Sequence, residues 1–171
     1  DSPMSRGLGD VYKRQYPDIA YGAGSDLDLS IDERRQLWKW EAAVGYRIFA
    51  AMRWGQLGDG HITCRDPEHR DHFWMLSYGV PFRQATVHDL ILIGPDGSVV
   101  DGPAHATANI AGYNIHHPLL EVRQDINAAA HTHTAFGTPW SANVEPFRAI
   151  SQESCSFCLL YTSPSPRDIG E

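Results

Sequence analysis

Apolar side chains recur at Leu37, Trp40, Val44, Ile48 and Met52, three or four residues apart. That spacing puts them on one stripe of an α-helix and predicts a helix from about Ile31 to Arg53. Ser30 and Glu33 stand at the spacing of a capping box at its start. Gly55 and Gly58 are expected to end it. The pattern then shortens. His61 to Cys64 and Phe73 to Leu76 read as short strands separated by a charged turn, Asp66-Pro67-Glu68-His69-Arg70-Asp71. Thr86 to Asp89 reads as one helical turn with Thr86 as N-cap. Leu90 to Ile93 is an unbroken apolar run, as a buried strand would be. Pro95-Asp96-Gly97 is a turn signature, so Ser98 to Val100 should return as its hairpin partner.

Asn109 to Val122 carries apolar residues at Ile110, Tyr113, Leu119 and Leu120 and reads as a helix, with Pro118 as an irregularity. Ala128 to His131 is the last strand candidate, and a loop through Gly137 and Pro139 leads to a further helix or turn. There are no internal repeats. The loose alternation of strands and helices predicts an α/β sandwich with a mainly antiparallel sheet.

The 171 residues suit one domain, and 42% hydrophobic content is enough for a core. The net charge of −7 argues against nucleic acid as a partner, since phosphate binding wants clustered Lys and Arg. No apolar run approaches the roughly 20 residues of a membrane helix, so no membrane partner is expected. No basic-then-apolar start reads as a signal peptide. The three cysteines lack a paired spacing, which makes a reducing, cytoplasmic setting the default.

The two ends share an unusual relationship. A DNA segment that encodes Ser5 to Gln15 has a reverse complement that encodes, one base out of frame, Cys158 to Arg167. It looks like a transposase-type sequencing adapter. Residues 1–15 and 157–171 are therefore expected to be adapter-derived and residues 16–156 to be the natural domain. On this reading Cys158 drops out, leaving Cys64 and Cys155. Residues 16–29, rich in Gly and Asp, read as a flexible lead-in.

All nine histidines lie within residues 16–156. His131-Thr132-His133 is the sharpest group. Residues i and i+2 of a strand share one face, so two imidazoles could chelate one ion, with a third ligand from elsewhere. Taken alone, such a pair is equally readable as surface or core histidines. His116 and His117 diverge by about 100° on a helix, so both cannot easily bind one ion. One of them could support the metal site from behind, or stabilise the helix C-terminus. Gly55 to Thr63 could cradle an anion or form a plain turn. Cys64, Trp38, Trp40, Phe73 and Trp74 read as core.

Three blocks together resemble one family. GDGHITCRDPEHRDHFWMLSYGVPF resembles its glycine-rich turn, strand, charged turn, strand and glycine loop. HDLILIGPDGSVVDG resembles its strand–turn–strand. NIAGYNIHHPLLEVRQDINAAAHTHTAFGTPWSA resembles its helix, acidic turn, strand and metal-binding histidine pair. Over roughly residues 31–156 the chain is similar to the class II aldolase/adducin N-terminal domain. The resemblance implies a three-layer α/β/α sandwich, incomplete at its C-terminus, that assembles as a homotetramer. It implies that His131 and His133 bind a divalent metal, normally Zn²⁺, with His116 behind them. The third ligand would come from a later histidine motif that this chain does not contain. Gly60, His61, Tyr78 and Gly79 match the loops that hold the phosphate or carboxylate end of a substrate.

One position departs from the family. Sugar-phosphate aldolases of this kind carry a catalytic Glu nineteen residues before the first metal histidine, and Gly112 stands there. Two functions follow. One is a zinc-dependent lyase for aldol-type cleavage or decarboxylation of a small hydroxy-carbonyl compound, its acid/base unassigned. The other is a non-catalytic, adducin-like assembly module. The chain as it stands, without a third ligand, is expected to be inactive and marginally stable.

Overall fold

The computed structural model describes residues 28–142. The adapter reading of the two ends, the lead-in up to residue 27, Cys155 and Cys158 lie outside the described residues. Two compact units are distinguished, one ending at His133 and one beginning at Thr134.

The first unit opens with helix α1, Ile31–Met52. The capping box forms as its sequence requires: the Ser30 hydroxyl accepts from the Glu33 N–H, and the Glu33 carboxylate accepts from the Ser30 N–H at 2.9 Å. The helix does not end on glycine. Arg53 takes the left-handed conformation, φ 59°, and the Arg53 and Trp54 N–H groups close the last turn onto Ala50 and Phe49. Gly55 serves packing instead, because a Cβ there would lie 2.7 Å from the Phe82 ring.

The buried face of α1 also differs from the apolar stripe in the sequence. Leu37, Ala42, Tyr46 and Phe49 are buried, whereas Ile48 and Met52 are 49% and 54% exposed. Small side chains decide the face. A Cβ on Gly45 would lie 2.8 Å from Ile62 Cδ1, so Gly45 with Ala42 lets the helix settle close on the sheet. Tyr46 fastens it there, donating to the Ile62 carbonyl at 2.8 Å and accepting from the Ile62 N–H at 2.9 Å.

Strands β1 (His61–Arg65), β2 (Phe73–Leu76), β3 (Leu90–Ile93), β4 (Val99–Asp101) and β5 (Ala128–His131) form one antiparallel sheet in the order β4-β3-β2-β1-β5. Short 3-10 turns at Phe82–Gln84 and Val87–Asp89 lead into β3, the second with Thr86 as its cap. Helix α2, Ile110–Val122, starts on Asn109, whose side chain accepts from the Ala111 and Gly112 N–H groups, and it contains Pro118.

Alternation along the strands divides the core into two layers. Ile62, Cys64, Trp74, Leu76, Leu90 and Leu92 pack with Ala42, Tyr46 and Phe49 of α1. Phe73, Met75, Ile91 and Ile93 pack with Leu120 of α2. The unit is a three-layer α/β/α sandwich. Cys64 is buried as expected of a small apolar strand residue, and burial pushes its thiol up to about 12. Among the described residues no helix is long and apolar enough to cross a membrane.

The second unit, as far as it is described, holds the short helix α3, Gly137–Ser141. Thr134 starts it, its hydroxyl accepting from the Gly137 N–H at 2.8 Å and its own N–H donating to Thr138 Oγ1 at 3.0 Å.

Candidate functional site

The site grows from the face of β1 that looks at α2. Apolar Ile62 and Cys64 look at α1, so His61, Thr63 and Arg65 must point the other way. All three are at most 3% exposed. A polar stripe buried under a helix needs partners, and each residue has them. Arg65 donates to the carbonyls of Leu120 and Arg123 at the end of α2, to Ile126 and to Arg70. Thr63 Oγ1 lies 2.8 Å from His116 Nδ1, and His116 Nε2 lies 3.1 Å from His61 Nδ1. Thr63, His116 and His61 thus form one hydrogen-bonded chain running outward along β1.

His61 is the direct cross-strand partner of His131. Their rings stack with centroids 4.9 Å apart and planes 18° from parallel. His133 follows the end of β5. Its N–H donates to the Trp54 carbonyl at 3.2 Å, which ties it to the segment after α1. The Nε2 atoms of His131 and His133 face each other at 3.0 Å. Four imidazoles therefore form a row: His116, His61, His131, His133. Burial, more than any charge, keeps His61 and His116 neutral, lowering them to about 4 and about 3. His131 is also lowered, by burial and then by His133.

Two nitrogens on a tetrahedral ion, each at about 2.0–2.1 Å, stand about 3.3 Å apart. The 3.0 Å between His131 Nε2 and His133 Nε2 suits two ligands of one ion. The stacked ring of His61 cannot join them, because nearly parallel rings aim their lone pairs along parallel lines. Among the described residues no group of three His, Cys, Asp or Glu side chains is arranged to hold a metal ion.

The other residues singled out in the sequence separate into two places. Gly60, Tyr78 and Gly79 line one shallow cleft, together with Gly58, Ser77 and Asn109. His61 lies outside it, buried beneath α2. Gly60 joins the cleft to the histidines: a Cβ there would lie 2.9 Å from the His131 carbonyl oxygen. His117 stacks on Tyr113 and takes no part in the row. Thr63 and Arg65 have no signature as site residues in the sequence. The available signal was the alternation in HITCR, whose polar half reads as solvent-facing unless a helix covers it.

Gly112 sits in the first turn of α2, facing the row. A Cβ on it would lie 2.7 Å from Met75 Cε and 3.1 Å from His61 Cγ. That position is thus closed by Met75 and the His61 ring.

Known proteins are similar to this chain in sequence and fold. A 4-hydroxy-3-prenylphenylpyruvate oxygenase/4-hydroxy-3-prenylbenzoate synthase of Streptomyces roseochromogenus subsp. oscitans is 37% identical over 127 residues, covering 73% of this chain and 45% of that protein. The decarboxylase NovR of Streptomyces niveus is 35% identical over 151 residues, covering 87% and 52%. The solved L-fuculose 1-phosphate aldolase from Glaciozyma antarctica PI12 superposes with a TM-score of 0.71 at 34% identity, over 75% of this chain and 53% of that one. The chain spans about half the length of these relatives. The family profile described as Class II Aldolase and Adducin N-terminal domain matches residues 41–168. By that match and its three-layer fold, the chain belongs to the class II aldolase and adducin N-terminal domain family.

Proposed function

We propose that this chain supplies His131 and His133 as two ligands of a divalent metal, Zn²⁺ by the family resemblance, in a lyase that acts on a small hydroxy-carbonyl compound. The facing Nε2 atoms at 3.0 Å carry the reading. Such an ion polarises a carbonyl or enolate oxygen as a Lewis acid. The chain's own residues do the rest. The cleft of Gly60, Tyr78 and Gly79 receives the remote end of the substrate, and Gly60 sets its distance from His131. His116 supports the pair through His61. The reaction is aldol-type cleavage or decarboxylation, and the similarity to a named decarboxylase and a named aldolase supports that class. The bare position at Gly112 disfavours a proton transfer through the aldolase carboxylate. A homotetramer belongs to the same proposal and is open to light scattering.

A second reading is a non-catalytic, adducin-like assembly module. Gly112 favours it, since the fold is kept without the carboxylate. Zinc content after dialysis separates the two. The lyase reading expects bound zinc that is lost in the His131→Ala, His133→Ala double variant. Absence of zinc from the full-length wild-type protein, or zinc that survives the double substitution in it, defeats the lyase reading.

A further inference from the structure

We infer that His61 is a positioning residue for the His131–His133 pair, and that Gly112 carries no side chain because Met75 and the His61 ring fill its space. The inference rests on the metal reading above only for its consequence, not for its geometry.

A metal-binding histidine is normally oriented by a hydrogen bond from its second ring nitrogen to a carboxylate or carbonyl. Among the described residues no such bond reaches Nδ1 of His131. What orients the ring is the flat face of His61, its cross-strand partner, 18° from parallel. A flat support works only if it is fixed, and His61 is held by His116 and hemmed in by Gly112. His116 holds its Nδ1 at 3.1 Å, and Thr63 in turn holds His116 at 2.8 Å. The Gly112 backbone lies near enough that an added Cβ would stand 3.1 Å from His61 Cγ. That atom is the root of a ring on a central part of the sheet and cannot swing away as a long side-chain tip can. A side chain at position 112 would press on Met75 Cε at 2.7 Å and crowd the His61 ring at 3.1 Å.

The experiment is a cycle of His61→Ala, Gly112→Ala and the double variant, with His61→Phe as the conservative case. Co²⁺ affinity of each chain is measured by competition with a chromophoric chelator. Removal of supporting groups around metal ligands typically costs 10- to 100-fold in affinity. His61→Ala should lose about tenfold or more, and His61→Phe, which keeps a flat ring, should recover most of it. Gly112→Ala should also weaken binding, but should add nothing in the His61→Ala background. Nitrogen-15 NMR of the metal-free chains gives a second readout. The wild type should show one of His131 and His133 protonated at Nε2 and the other not. His61→Ala should move both to solvent-averaged tautomers, at unchanged far-UV circular dichroism. If His61→Ala does not fold, the Phe and Gly112→Ala chains carry the same comparison. Wild-type affinity and unchanged imidazole signals in His61→Ala, or equal losses from Gly112→Ala with and without His61, overturn the inference. A wild-type chain that binds no Co²⁺ defeats the metal reading instead, and the NMR comparison then decides the positioning alone.

Discussion

A Cβ placed on Gly60 would stand 2.9 Å from the carbonyl oxygen of His131. The contact is with backbone, so neither partner can turn away. It joins the mouth of the cleft to the strand that presents the first metal-ligand candidate. Gly60→Ala should therefore pry β5 from β1 where the histidines stack. Overpacking of this kind costs about 1–3 kcal/mol, and the Co²⁺ affinity of the chain should fall with it. Gly79→Ala is the comparison. Its φ of +90° makes a side chain strained, but a Cβ there meets nothing within 4 Å. It should cost about 1–2 kcal/mol and leave Co²⁺ affinity unchanged. Urea unfolding and a metal titration on both variants check the contrast. Equal effects on metal binding would mean that Gly60 does not set the position of His131.

Asp66 anchors the far end of β1. It is buried and accepts from Arg35 at 2.8 Å, from the Trp74 indole at 2.9 Å, and from the backbone N–H groups of Glu68 and His69. Asp66→Asn leaves the volume but removes the one buried charge of the three that answer Arg35, the others being Asp32 and Glu68. Breaking one partner of a buried pair costs about 3–5 kcal/mol. Arg35 also pairs with Asp32, whose side chain is 89% exposed. Asp32→Asn should change stability by no more than about 0.5 kcal/mol. Chemical denaturation of the two variants reads the difference directly.

Arg65 is a buried cation answered by carbonyls alone among the described residues, and burial lowers its pKa. Two of those carbonyls, Leu120 and Arg123, lie at the end of α2, where the Gln124 amide and the Ile126 N–H also reach them at 3.3 Å. Arg65→Met keeps the stem and strips the donors, so the carbonyls of Ile126 and Arg70 lose theirs at about 1–3 kcal/mol each. The expected loss is about 3 kcal/mol or more. Hydrogen exchange should show it concentrated in the last turns of α2. A loss spread evenly over the sheet would argue that Arg65 does not hold that helix.

Much of this fold is legible in the chain, and the parts that are not share a cause. Phe73 to Leu76, Leu90 to Ile93 and Ala128 to His131 fall where their patterns place them, because short apolar runs bounded by turns have few alternatives. The capping box of α1 is local chemistry and forms as written. The buried face of α1 is not legible. It is chosen by Gly45 and Ala42, whose value is their smallness against Ile62, and a hydrophobic stripe gives no weight to smallness. At the site, the spacing of His131 and His133 announces a pair, but His133 lies past the end of β5 and is held by the Trp54 carbonyl. The pairing of His61 with His131, and of His61 with Gly112, comes from strand register and helix placement across more than fifty residues. No local pattern encodes either.

The histidine row also sets how the metal-free chain responds to acid. His61 and His116 are buried and neutral, lowered to about 4 and about 3 from an ordinary value near 6.5. Their surroundings are imidazole, hydroxyl and apolar: Thr63, His131, Met75 and the Gly112 backbone, with His133 beyond. Between about pH 4 and pH 6.5 the unfolded chain holds protons on these two rings that the folded chain does not. Stability therefore rises with pH in that window, is complete above about 6.5, and is lost as the pH falls through it. Two such groups give a slope on the order of 2 kcal/mol per pH unit near pH 5. Asp66 adds to the loss only lower down. Burial alone would raise its pKa, but Arg35, the backbone N–H groups and Trp74 hold it below the usual carboxylate range, so its contribution goes as the pH falls below about 3.8. Urea midpoints at pH 7 and pH 5, with a chelator present, test the first stage. His61→Phe removes one of the two protons and should roughly halve the slope at pH 5. A stability that stays flat from pH 7 to pH 5 would mean that the row is open to water and that His61 is not held as a neutral support.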